Sequence, residues 1–124
     1  MAAYEHLMNS YNVGDQLDDI ASADPPAYLR RCFAEGYSAS ALPWKRVQQL
    51  ALCAMVLDAI ANDRDYEFFE RELIADWRIH YSSACAKLKI TAAQALRRVL
   101  ERDRPQDPNA VAELEQLASI VGGA

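Results

Sequence analysis

Asp76 and His80 stand four residues apart, which puts a carboxylate and an imidazole on one face of any helix containing both. Such a pair can bind a metal or pass a proton between acid and base. Either use needs a third group, and neither His-Glu-x-x-His nor Glu-x-x-His is present to supply it. The pair is therefore expected to be a helix-stabilising surface contact. His6, near the N-terminus, has no local partner of note. Cys32, Cys53 and Cys85 are odd in number, far apart in the chain and set among apolar helical neighbours, a pattern that predicts buried free thiols. No Cys-x-x-Cys pair suggests zinc, and no paired framework suggests secretion. A glycine-rich phosphate cradle and a Gly-x-Ser-x-Gly nucleophile turn are also lacking. No catalytic residue, metal or cofactor is expected, and the chemistry left to the chain is binding.

Charge indicates where. The formal net charge is -5, yet Ala84 to Arg104 carries Lys87, Lys89, Arg97, Arg98, Arg102 and Arg104 against Glu101 and Asp103, a local +4 that leaves -9 elsewhere. An acidic body disfavours indiscriminate adhesion to nucleic acid or anionic membrane, while its basic end suits an acidic protein face or a polyanion. Within "ACAKLKITAAQALRRVLERD", Leu88, Ile90, Leu96 and Val99 have inward spacing, and Thr91 and Gln94 have the spacing of a capping box. The stretch resembles a helix-turn-helix, with residues 83–88 as the supporting helix, 89–91 as the turn and 92–102 as the recognition helix. That resemblance implies that Gln94, Arg97 and Arg98 face outward, glutamine to read adenine and arginine to read guanine or hold phosphate.

Two functions are expected from these residues. The favoured one is a non-enzymatic binding protein, a regulator, inhibitor or assembly factor, that meets another protein through its basic helix 92–104. Lys87, Lys89, Gln94, Arg97, Arg98 and Arg102 are its contact residues, and the aromatics Tyr37, Trp44 and Phe68 would add an apolar centre. The alternative is a transcriptional regulator that binds duplex DNA through residues 83–102. A homodimer, formed through an exposed apolar stripe on the first or last helix, would favour DNA, since paired recognition helices match paired half-sites.

The elements that position these residues read as helices throughout. With 124 residues, 52% hydrophobic content and only 4 glycines, residues 1–124 are expected to form one all-α domain, a compact bundle of six or seven helices. A short helix is predicted from Ala2 to Tyr11, with Asn12 to Gly14 as its stop. Leu17 and Ile20 mark a weak stripe, and Asp24 caps a helix that starts at Pro25, turns Tyr28, Leu29, Cys32 and Phe33 inward, and ends just before Gly36. Tyr37 to Leu42 reads as a loop. Residues 43–61 are apolar almost all round after Gln49 and are expected at the centre, with Gln48 and Gln49 among the residues that bring its first turns to the surface. After a break at Asn62 to Asp65, with Asp65 as N-cap, apolar steps of three and four run from Tyr66 to Leu88, and Ser82/Ser83 is a possible break. A fresh helix is predicted after Ile90, and a last one from Asp107 and Pro108 to Val121, before Gly122 and Gly123. The most hydrophobic window, residues 47–61, contains glutamines and an aspartate and is shorter than the ~20 apolar residues of a membrane span. With no signal-like N-terminus, the expected compartment is the cytosol.

Overall fold

From Val47 to Ile60 every side chain except Gln49 is withdrawn from solvent, so one helix is enclosed by the others. The computed structural model describes residues 4–34 and 43–123, and these form six helices. They are α1 (Glu5–Met8), α2 (Val13–Ser22), α3 (Pro25–Ala34), α4 (Pro43–Asn62), α5 (Arg71–Arg102) and α6 (Pro108–Gly123). Helix α4 packs against α1, α3, α5 and α6, while α5 also covers α3 and α6, and α2 leans on α3. The all-helical bundle around residues 43–61 is the architecture the apolar pattern predicts. Gly36 and the loop Tyr37 to Leu42 lie outside the described residues.

One charged group sits inside this apolar centre. Asp58 has 0% exposure, and an ionised carboxylate there is tolerable only if its oxygens are fully engaged. Asn62 Nδ2 donates to it at 2.6 Å, Tyr66 Oη at 2.6 Å and Arg64 Nε at 2.5 Å. All three donors follow Asp58 within eight residues, so the carboxylate folds the chain back over the end of α4. Tyr66 then stacks near Tyr4 (5.8 Å between centroids) and Phe69 (5.5 Å), and burial pushes its hydroxyl far above the usual phenol range. This docking explains a departure from the sequence pattern. The helix expected to start at Asp65 starts instead at Arg71, because Tyr66 is held by Asp58, and Asp65 pairs with Arg71 at 2.9 Å without capping.

The N-terminal prediction also changes. The spacing of Tyr4, Leu7, Met8 and Tyr11 predicts one helix, but α1 ends at Met8 and Ser10 adopts a positive φ of 61°. The cause is Gln48, which is buried in α4 rather than exposed and donates its Nε2 to the Asn9 carbonyl at 3.0 Å. Asn12 is a start and not a stop: its Oδ1 accepts from the Asp15 amide at 3.2 Å, and Gly14 lies inside the first turn of α2.

The largest correction concerns α5. It is one helix of 32 residues, about 48 Å at the standard rise, with no break at Ser82/Ser83 and no fresh start after Ile90. No glycine or proline interrupts Arg71 to Arg102. Its inner stripe of Ile74, Trp77, Tyr81, Cys85, Leu88, Ala92, Leu96 and Val99 keeps steps of three and four straight through the expected turn. Thr91 and Gln94 are interior residues of this helix, so the turn that the helix-turn-helix resemblance requires is absent. Ile90, expected inward, is 68% exposed. At the other end, α6 is capped by Asp107, whose Oδ1 accepts from the Asn109 amide at 2.9 Å, and it continues through Gly122 and Gly123. Gly122 is needed there: a Cβ on it would lie 2.7 Å from the Ala93 Cβ of α5.

The Asp58 network predicts a stability loss. Asp58→Ala strands three donors and lowers the unfolding free energy by about 3 kcal/mol, read by urea denaturation followed by circular dichroism. Tyr66→Phe, which removes one donor, lowers it by about 1–2 kcal/mol. Losses within error of zero for both would contradict the anchoring role of this carboxylate.

Candidate functional site

Continuity of α5 sorts the six residues expected at the partner surface. Lys87, Gln94, Arg98 and Arg102 follow one another in steps of seven and four, so they share one exposed flank of the helix. Arg98 leans towards α3, with Nη2 3.4 Å from the Phe33 carbonyl near that helix's C-terminal end, where a cation is favoured by the helix dipole. Arg97, one residue away, turns off this flank towards the end of α6. A Cβ on Gly122 would stand 3.1 Å from its Nη2. Lys89 points away from both, and its Nζ lies 3.5 Å from Asn62 Oδ1 at the end of α4. The structure thus brings four of the six together and separates Lys89 and Arg97 from them.

Among the described residues, Lys87, Arg97, Arg98 and Arg102 have no carboxylate at ion-pair distance. Beside them runs a solvent-facing ridge with two large apolar side chains, Ile79 at 79% exposure and Ile90 at 68%. Neither isoleucine was singled out as a surface residue by the sequence pattern. The available signal was phase: both fall outside the three-and-four stripe that the rest of α5 buries.

Other groupings contain less free chemistry. Asp76 and His80 are 3.7 Å apart and both exposed, and no cluster of three metal-ligating side chains occurs among the described residues. A cleft of about 330 Å³ between the 63–66 segment and α5 is lined by Arg64, Arg71 and Arg78. Each of these arginines is already paired, with Asp58, Asp65 and Asp63 respectively. A second groove, about 390 Å³, lies between Pro43, Trp44 and Val47 on one side and residues 103–107 on the other. Of the aromatics proposed for an interface, Trp44 is exposed there, Phe68 is half-buried edge-on to Phe69, and Tyr37 lies outside the described residues.

The cysteines are buried and free, as expected, although two that are distant in sequence meet in space. A hydrogen bond with Cys32, together with burial, holds the Cys53 thiol well above its ordinary value, and burial pushes Cys85 up to about 11. These thiols are poor nucleophiles. His6 has a partner that its neighbours in sequence do not reveal. Its Nδ1 lies 2.8 Å from Glu113 Oε2, and the other Glu113 oxygen accepts from the Leu7 amide at 2.9 Å, so one carboxylate of α6 secures α1. Comparison with protein-family models, curated proteins and solved structures returns no match for the chain.

The His6–Glu113 contact carries a pH signature. The hydrogen bond to Glu113 raises the His6 imidazole above its ordinary 6.5. Its stabilising effect is therefore full below about pH 6.5 and fades as pH rises through the raised folded value. Urea midpoints should fall across that window for the wild-type chain and fall less for His6→Ala. Equal pH dependence in the two would contradict this assignment.

Proposed function

We propose that the chain acts by binding another protein rather than by catalysis, and that the flank of α5 bearing Lys87, Gln94, Arg98 and Arg102 is the contact surface. One observation carries this reading: cations without carboxylate partners among the described residues are aligned on a single rigid helix of an otherwise acidic chain. An unbroken helix holds its side chains in register before the partner arrives, which lowers the ordering cost of association. The complementary surface is an acidic protein face. Regulators, inhibitors and assembly factors all work through contacts of this kind.

The test is affinity capture from a cell extract on the immobilised chain, followed by titration with the purified captured protein. An Arg98→Ala/Arg102→Ala variant with unchanged circular dichroism should bind at least about ten-fold more weakly, and wild-type binding should weaken with added salt. Full affinity in the double variant would overturn the assignment. A random-sequence DNA duplex titrated in parallel separates the two partner classes: salt-sensitive binding of the duplex, lost in the variant, would replace the protein partner with DNA.

A further inference from the structure

We propose that two copies of this chain associate through the outward ridge of α5, antiparallel, about a two-fold axis at the level midway between Ala84 and Cys85. The ridge residues Glu72, Ile79, Ser83, Ala86, Ile90 and Arg97 are all exposed, and they succeed one another at intervals of seven, four, three, four and seven. That series reads the same from either end. An antiparallel copy therefore sets Ile79 level with the partner's Ile90, Ser83 level with the partner's Ala86, and Glu72 level with the partner's Arg97.

Three physical features converge on this one register. The four-three-four spacing is that of a short helix–helix seam, with its apolar members at the two ends, about 16 Å apart along the axis. Ser83 and Ala86 are small, so the helix axes can approach to about 8 Å where the two copies cross. Charge then selects direction: a parallel pair would align Glu72 with the partner's Glu72 and Arg97 with the partner's Arg97, whereas the antiparallel pair opposes unlike charges at both ends. Asp76, one turn inside Glu72, adds to each acidic end. An isologous contact of this kind closes on itself and leaves two exposed isoleucines per chain covered. The seam draws on Arg97 but not on the Lys87, Arg98 and Arg102 flank, so it goes beyond the partner-binding reading.

Sedimentation velocity of the full chain tests it. The wild type should shift from monomer to dimer within a range of about 10–500 µM, as a short seam implies. Ile90→Asp should hold it monomeric with unchanged circular dichroism. Glu72→Arg alone and Arg97→Glu alone should each be monomeric, since each homodimer would oppose like charges twice. Mixed one to one, these two variants should dimerise again, because the mixed pair opposes unlike charges at both ends, and the recovery also shows that both are folded. A monomeric wild type at the highest concentration, or a mixture that stays monomeric, would overturn the proposal. Arg98→Ala/Arg102→Ala should dimerise like the wild type. That keeps failure of the seam distinct from failure of the acidic-partner surface.

Discussion

A carboxylate with no access to water governs how this chain is arranged. Asp58 lies in the most enclosed helix of the bundle, where an unsatisfied charge would cost several kcal/mol, on the order of the whole stability of a small domain. Its three donors all come from the residues that follow it. To bring them back, the chain reverses direction after Asn62 and lays Tyr66 against Tyr4, with Phe69 packed on Tyr66. That reversal sets where α5 starts and which of its faces turns inward. Every surface feature on α5 inherits its position from this buried contact.

From that starting phase, α5 buries residues at steps of three and four for its whole length and presents the opposite face to solvent. The exposed isoleucines, the symmetric spacing of the ridge and the cationic flank are consequences of one uninterrupted rod. A corner near Thr91 would have rotated Gln94, Arg97 and Arg98 relative to Ile79 and destroyed the ridge. Functional readings of this chain therefore depend on continuity of the helix more than on any single side chain.

What was legible in the sequence was local. Pro25 after Asp24, Pro43, and Asp107 followed by Pro108 mark helix starts through residues that touch their own neighbours, and the all-round apolar run after Gln49 marks the enclosed helix. What was hidden depends on partners far along the chain. Gln48 ends α1 from 39 residues away, Glu113 secures it from more than 100, and Cys32 finds Cys53 only after α3 packs on α4. Thr91 and Gln94 misled for a different reason. A capping box is a local preference of about 1 kcal/mol, whereas the apolar stripe running through Leu88, Ala92, Leu96 and Val99 commits several buried side chains to an unbroken helix. Taking Ile90 as an inward residue concealed that phase. The basic residues were visible as a cluster in sequence, but their division between two flanks follows only from the helix that carries them.

Amide hydrogen exchange resolved at residues 89–96 tests that continuity most directly. In an unbroken α5 the amides of Thr91, Ala92, Ala93 and Gln94 donate to carbonyls one turn earlier, so they should exchange as slowly as that of the buried Leu96 farther along the same helix. A helix that begins at Thr91 leaves its first amides without partners. Fast exchange confined to residues 91–94, with protection resuming at Ala95, would contradict the continuous rod and restore the corner.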